Sequence, residues 1–131
     1  MYLLDTNTVI YLMKNTYPQL SAKLLTLSPK ETAISAITVF ELEYGAGKSK
    51  WGDRTRQLLY RFLAPFQLVP FEMADAVEAG RIRAYLEQRG NPIGPFDTQI
   101  AAQALSREMV LVTHNTKEFS RVPGLTVEDW V

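Results

Sequence analysis

Three carboxylates and one amide stand far apart in this sequence, yet each is predicted to reach the same edge of a sheet. Asp5 directly follows the first apolar run, and Asn115 directly follows a late one. Glu41 lies in the first turns of a helix after the second apolar run, while Asp97 begins a helix after a Pro/Gly loop. In open α/β sheets, ligands bind beyond the carboxyl ends of the strands. We therefore expect these four side chains to form one site.

Such a cluster predicts metal-dependent chemistry on a phosphate ester. Neighbouring carboxylates repel one another, and burial raises the pKa of at least one unless a cation compensates. Hard divalent ions such as Mg²⁺ bind carboxylate oxygens together with waters and substrate phosphate. A zinc site is disfavoured because the chain has no cysteine and a single histidine. Since a carboxylate–Mg²⁺ pocket activates water and stabilises charge at phosphorus, phosphodiester hydrolysis is the chemistry we expect.

Each of these residues also has a simpler interpretation. Asp5 is suited to cap the first helix, and Thr38-x-x-Glu41 has the pattern of a capping box. Asp97 near a helix start favours the helix dipole, and Asn115 is common in turns. Capping does not require the four residues to converge, so their shared edge favours a functional site.

Strands and helices are predicted to alternate along the chain. Strands are predicted at 2–4, 32–35, 66–69 and 109–113, with a last one at 125–127. Helices are predicted after a cap at Asn7 or Thr8, from Pro18, from about 37 to Gly45 or Gly47, and over 53–63, 72–89 and 97–107. The strands are uniformly apolar, which is typical of a parallel sheet with both faces covered.

The helix predicted over 72–89 illustrates how we assign buried faces. Met73, Val77, Gly80 and Ala84 recur at helical spacing, so we expect this face to pack on the sheet. Gly90 follows as the expected C′ residue, because glycine adopts the left-handed conformation that ends many helices.

The overall composition is that of one folded domain of 131 residues. The absence of cysteine rules out disulfides and thiolate metal sites and fits a reducing cytoplasm. Asp5 comes too early for the apolar core of a signal peptide. No apolar run approaches the roughly 20 residues of a membrane helix. We therefore expect a cytoplasmic protein with no membrane partner.

Charge is balanced overall but not along the chain. The 14 basic and 14 acidic residues give zero net charge, which argues mildly against non-specific nucleic-acid binding. One stretch departs from this balance, because its basic side chains face a single acid, Asp53. These are Lys48, Lys50, Arg54, Arg56 and Arg61. The stretch is either a solvated helix face or a patch that contacts phosphates, and the sequence leaves both open.

Three aromatic residues and the only histidine have other expected roles. Tyr44 and Trp51 lie near the basic stretch and have the chemistry to stack on unpaired RNA bases, but intramolecular packing or a dimer interface is the more common role. Trp130 is expected to close the core. His114 is expected at the surface or in a hydrogen bond rather than as a general base.

Taken in order, the motifs of this chain resemble those of PIN-domain ribonucleases, and specifically of VapC-type toxins. They cover nearly the whole chain: LDTN at 4–7, ISAIT at 34–38, ELEYG at 41–45, GPFDTQIAA at 94–102, LVTHN at 111–115 and EFSRVPGL at 118–125. The resemblance implies a PIN-like three-layer α/β/α fold around a mostly parallel sheet of four or five strands, in a single domain over 1–131.

The resemblance also implies roles for individual residues. Asp5, Glu41 and Asp97 correspond to the family's acidic metal-binding core, here for Mg²⁺ or alternatively Mn²⁺. Asn115 stands where the family often has a fourth acid, so it completes the catalytic set as a neutral residue and leaves a second metal open. Glu118 is a weaker candidate to replace that acid.

Three residues near the catalytic set are treated separately. Thr6 and Thr113 are expected to lie beside the site in supporting roles. Glu43 is excluded from the catalytic set, because it is two residues after Glu41 and residues two apart on a helix point in different directions.

In biological terms, the resemblance implies the toxin of a toxin–antitoxin module. Such a toxin is a Mg²⁺-dependent endoribonuclease that leaves a 5′-phosphate and a 3′-hydroxyl. It is held inactive by a small antitoxin that covers its groove and places a basic side chain near the acids. The implied substrate is tRNA, with the anticodon region of initiator tRNA favoured, and the implied assembly is a homodimer.

Two rival functions remain open at this point. One is a catalytically silent domain of the same fold that acts only through a partner. The other is a phosphatase or phosphate receiver, which also carries an early Asp after its first strand. A haloacid-dehalogenase-type phosphatase needs a second Asp two residues later, where this chain has Asn7, and the acids and late Lys of a receiver do not line up.

Overall fold

A five-stranded sheet forms the centre of the molecule in the computed structural model, which describes all 131 residues. Its spatial order is β3-β2-β1-β4-β5, and every neighbouring pair is parallel. The strands are β1 Tyr2–Leu4, β2 Thr32–Ser35, β3 Gln67–Val69, β4 Val110–Val112 and β5 Val127–Glu128. Strand order reverses between β1 and β4, so a crevice is expected beyond the ends of these two strands.

Helices cover both faces of the sheet. They are α1 Thr6–Lys14, α2 Pro18–Leu25, α3 Ala36–Lys48, α4 Gly52–Leu63, α5 Met73–Gln88, α6 Pro95–Ser106 and α7 Thr116–Phe119, with a 3₁₀ turn at Pro29–Glu31. No helix is both long enough and apolar enough to cross a membrane.

Two hydrophobic cores lie on opposite sides of the sheet. Successive strand residues point to opposite faces. Leu3 accordingly packs in one core with Leu86 of α5 and residues of α6 and α7. Leu4 packs in the other core with Leu59 of α4 and residues of α1 and α2. The predicted three-layer α/β/α fold is confirmed, with five strands that are all parallel.

Some predicted helix boundaries were wrong. Helix α1 begins at Thr6 with Asp5 as its cap, not with Asn7 or Thr8. Helix α3 continues through Gly45 to Lys48, because its packing against neighbouring helices outweighs the roughly 1 kcal/mol that a glycine costs inside a helix. The last strand begins at Val127 rather than ending there.

The predicted buried face of α5 was also wrong. Met73 and Val77 are 79% and 49% exposed, and the residues that α5 buries are Asp75, Ile82 and Leu86. The apolar pattern did not identify this face, because the buried position in its first turn is a carboxylate paired with α6. Gly90 follows α5 with a φ of 69°, as predicted for its C′ position.

Gly52 sets the tight connection between α3 and α4. A Cβ atom at this position would lie 2.5 Å from the carbonyl oxygen of Ala46. Only glycine lets the first turn of α4 approach the last turns of α3 so closely. The two helices therefore form a closely packed hairpin.

Candidate active site

Asp5 lies at the switch point of the sheet and is 3% exposed. Its Oδ1 accepts a 2.8 Å hydrogen bond from the backbone N–H of Thr8, and its Oδ2 accepts a 2.6 Å bond from the Thr113 hydroxyl. Thr113 directly follows β4, so neighbouring strands fix this carboxylate. Burial raises the pKa of Asp5, although these hydrogen bonds oppose the shift. Asp5 thus caps α1, which confirms the simpler interpretation of this residue. It also lies at the end of β1, where the crevice between β1 and β4 is expected.

Glu41 is oriented by a hydroxyl from α1. The Thr6 hydroxyl donates to Glu41 Oε1 over 2.7 Å and lies 3.0 Å from the Thr38 hydroxyl. Because the single proton of Thr6 goes to Glu41, Thr38 must be the donor in the second contact. The capping-box interpretation of Thr38 and Glu41 is wrong, since the cap of α3 is Ser35. Glu41 is therefore held by a contact between helices.

Asp97 is the acid whose pKa the other acids of the cluster raise. It lies half-buried in the first turn of α6. Burial raises its pKa to about 6, together with the negative charges of Asp5, Glu41 and Glu118. No basic side chain is among the groups that act on it. The structure thus brings the three predicted acids into one electrostatic cluster.

Asn115 is next to this cluster through two contacts. Its backbone N–H donates to the Thr113 hydroxyl over 2.9 Å, and its side-chain amide donates to Glu118 Oε2 over 2.9 Å. Glu118, which the sequence ranked low, therefore lies close enough to influence Asp97. The signal that would have found it is its spacing, because a residue three after Asn115 on a helix faces the same side.

Two other predicted placements agree with the structure. Glu43 faces away from the cluster and lies 3.3 Å from Arg56. His114 is exposed and has its Nδ1 3.0 Å from Asp129 Oδ2, as expected for a surface hydrogen-bonding residue.

The donor set fits a hard divalent cation in chemical type. Every candidate ligand is an oxygen, and no basic side chain is among the groups that shift the pKa of Asp97. In this structure, no three histidine or acidic side chains lie close enough together to hold one metal ion. Mg²⁺ binds proteins through one or two carboxylates and completes its shell with waters and substrate phosphate.

A groove leads away from Glu41 between α1, α3 and α4. It has a volume of about 680 Å³. Its walls include apolar Ile10, Met13, Leu42 and Phe62, and Ala46 also lines it. A chain segment with apolar side chains therefore has a place to bind beside Glu41.

The chain is similar to known proteins in both sequence and fold. The family model for the PIN domain matches residues 2–125. The tRNA(fMet)-specific endonuclease VapC of Salmonella typhimurium is 40% identical over 129 residues, which is 98% of this chain and 97% of the relative. Ribonuclease VapC2 of Haemophilus influenzae is 38% identical and covers 99% of this chain and 98% of its own length.

Solved structures give the same result. In the DNA-bound VapBC structure from Salmonella typhimurium, a chain with 38% identity superposes with a TM-score of 0.93 and covers 99% of this chain and 98% of its own. In VapBC2 from Rickettsia felis bound to a promoter DNA fragment, the TM-score is 0.92 at 35% identity, with 99% and 98% covered. The chain therefore belongs to the PIN-domain family, among the VapC ribonucleases.

Proposed function

We propose that this chain is a metal-dependent endoribonuclease and the toxin of a toxin–antitoxin module, with residues 1–131 acting as one nuclease domain. The observation that carries the proposal is the cluster around Asp97. Its half-buried carboxyl shares the sheet's switch point with Asp5 and Glu41, and no basic side chain is among the groups that shift the pKa of Asp97. This chain is 38% identical to a ribonuclease VapC2. A cluster of acids that binds a divalent metal is suited to phosphodiester hydrolysis.

Each residue of the cluster has a distinct task in this proposal. Asp5 is the fixed ligand, because Thr8 and Thr113 hold both of its oxygens. Glu41 is the second ligand and Asp97 the third. Asn115 orients a water or a phosphate oxygen. Mg²⁺, or alternatively Mn²⁺, supplies an activated water and stabilises the charge on the leaving oxygen when it is bound.

The proposed substrate is tRNA, with the anticodon region of initiator tRNA as the specific target. Support comes from the Salmonella relative, which is named for tRNA(fMet) and is 40% identical. Hydrolysis by water leaves a 5′-phosphate and a 3′-hydroxyl. A protein that acts on tRNA in this way works in the cytoplasm, which is our proposal for its location.

The proposed partners are a cognate antitoxin and a second copy of the chain. The similar solved structures are VapBC assemblies, in which the toxin is bound to its antitoxin. We place the antitoxin in the apolar groove that includes Glu41, where a basic side chain of the antitoxin would meet this carboxylate. The homodimer is tested by light scattering of the purified chain, and a monomeric mass would contradict it.

The activity is tested by incubating total tRNA with purified, antitoxin-free protein. We expect discrete fragments with Mg²⁺ or Mn²⁺, none with EDTA, and at least about 100-fold slower cleavage by Asp97→Asn and by Glu41→Gln. Glu43→Gln is the matched control, since it removes a carboxylate from the same helix outside the cluster. Equal cleavage by wild type and Asp97→Asn would point to a contaminating nuclease. No cleavage of any RNA would favour the silent interaction domain.

A further inference from the structure

A second surface with the chemistry to contact RNA lies at the tip of the α3–α4 hairpin. We call it the basic platform, and it consists of Tyr44, Lys48, Lys50, Trp51 and Arg54. The rings of Tyr44 and Trp51 are 61% and 64% exposed. Of the two common roles named for these residues, this exposure contradicts intramolecular packing and leaves the dimer interface untested. Two large aromatic side chains in solvent next to cations need another explanation.

The cations of the platform are free of carboxylate partners. Lys48, Lys50 and Arg54 have no acidic oxygen within 4.0 Å, since Arg56 takes both nearby acids, Glu43 and Asp53. Positive charge is therefore concentrated here on a chain whose net charge is zero.

The two lysines instead lie over the exposed rings. Lys48 Nζ is 5.0 Å from the centre of the Tyr44 ring, and Lys50 Nζ is 5.4 Å from the centre of the Trp51 ring. Each exposed ring thus has a cation close enough to contact the phosphate of a nucleotide whose base stacks on that ring. Exposed aromatic rings beside positive charge are the features that bind single-stranded nucleic acids.

The platform and the acids lie along one path. Ala46 lines both the groove that starts at Glu41 and the hollow formed by Lys50, Trp51 and Arg54. Lys48 is seven positions after Glu41 in α3, which is about 10 Å at the rise of an α-helix. At about 3.4 Å per stacked nucleotide, an RNA strand covers that distance in roughly three nucleotides. The close approach of α4 to α3 at Gly52 holds the platform at this end of α3.

We propose that the basic platform binds unpaired nucleotides of the RNA substrate a few positions away from the cleaved bond. Bases stack on Tyr44 and Trp51, while Lys48, Lys50 and Arg54 contact phosphates. This inference rests on the proposed ribonuclease function and adds a second contact to it. The concentrated positive charge favours RNA over a second copy of this neutral chain as the occupant.

Binding is measured without cleavage, on the Asp97→Asn protein in EDTA. The probes are a fluorescein-labelled initiator tRNA transcript and a 12-nucleotide oligouridine, followed by fluorescence anisotropy. We expect Trp51→Ala to weaken binding of both probes about 10-fold. The pair Lys48→Gln and Lys50→Gln should lower the slope of log K against log salt by about 1.4, for two lost phosphate contacts. Tyr60→Ala and Lys30→Gln, which change exposed residues outside the platform, should bind as the parent does.

The same substitutions in the active protein separate this inference from the function on which it rests. Platform variants should raise KM about 10-fold and leave kcat unchanged, because the platform holds substrate and does not touch the cleaved bond. If wild type cleaves tRNA but platform variants bind and cleave equally well, the inference is wrong and the ribonuclease proposal stands. If wild type neither binds nor cleaves RNA, both fail. A change of mass in light scattering with Trp51→Ala would make the platform an interface between copies and would overturn the inference.

Discussion

At the scale of single residues, the hydroxyl of Thr113 links two parts of the site. It donates to Asp5 over 2.6 Å and accepts from the backbone N–H of Asn115 over 2.9 Å. Both bonds are lost in Thr113→Val, which keeps the shape but leaves a buried carboxylate oxygen without its partner.

We expect Thr113→Val to lower the free energy of unfolding by about 1–3 kcal/mol. We also expect it to slow tRNA cleavage at least about 10-fold, because Asp5 is no longer held. Urea denaturation and initial cleavage rates measure the two effects. Thr113→Ser, which retains the hydroxyl, should stay close to wild type. Equal behaviour of the valine and serine variants would show that the hydroxyl does not position Asp5.

At the scale of elements, a buried acid joins the start of α5 to the end of α6. Asp75 accepts a 2.9 Å bond from the Arg107 guanidinium and further bonds from the Ser106 hydroxyl and the Glu72 N–H. Burial by itself raises the pKa of Asp75, but these hydrogen bonds outweigh it and lower the pKa below its ordinary value. The ionised form is therefore the one that stabilises the fold.

The lowered pKa of Asp75 predicts that the stability of the fold depends on pH. Because the folded-state pKa is lowered, the stabilisation is complete above the ordinary value of 3.8 and is lost as pH falls through the folded-state pKa. Asp75→Asn should cost about 2–3 kcal/mol at pH 7, and the difference from wild type should shrink below about pH 4. Urea titrations at both pH values measure this. Arg83→Ala, which breaks an exposed pair with Glu87, should cost less than about 0.5 kcal/mol at either pH.

The α3–α4 hairpin gives a second prediction about elements. In Gly52→Ala the new Cβ would meet the Ala46 carbonyl at 2.5 Å, so backbone must shift and we expect a loss of about 1–3 kcal/mol. Gly80→Ala is the control, because no atom lies within 4 Å of a Cβ there and a helical alanine should gain up to about 1 kcal/mol. Thermal unfolding measures both. A neutral Gly52→Ala would mean that the hairpin is flexible.

At the scale of the whole molecule, repulsion within the acid cluster should lower the stability of the metal-free protein. The pKa of Asp97 is raised to about 6 from 3.8, so its ionisation destabilises the fold as pH rises through this range. In EDTA at pH 7.5, Asp97→Asn should raise Tm by about 1–4 °C, and at pH 4 it should have no effect.

A bound cation should make the wild type more stable than Asp97→Asn, the opposite of what we expect in EDTA. Added Mg²⁺ or Mn²⁺ should raise the Tm of wild type, because a ligand that binds only the folded state stabilises it by mass action. The rise should be smaller in Asp97→Asn, which has lost a proposed ligand. Differential scanning fluorimetry with increasing metal measures both proteins. Equal rises in the two would mean that Asp97 does not take part in metal binding.

Much of the fold and of the site followed from local patterns. Short, uniformly apolar runs predicted the parallel strands, and the position of Asp5 and Asn115 directly after two of them predicted the shared edge. These inferences needed only the period of a strand and the rule that parallel strands end on one side. The prediction of the buried face of α5 was wrong because Asp75 is buried by pairing with Arg107, which lies more than 30 residues away.

The sequence by itself determined the strand–helix alternation, the family and the set of acids. The tertiary structure alone decided their surroundings: that Thr6 rather than Thr38 holds Glu41, that Glu118 acts on Asp97, and that Tyr44 and Trp51 lie in solvent. The physical reason is distance along the chain. Local patterns fix which elements form, whereas hydrogen bonds, burial and charge between elements depend on how the whole chain packs.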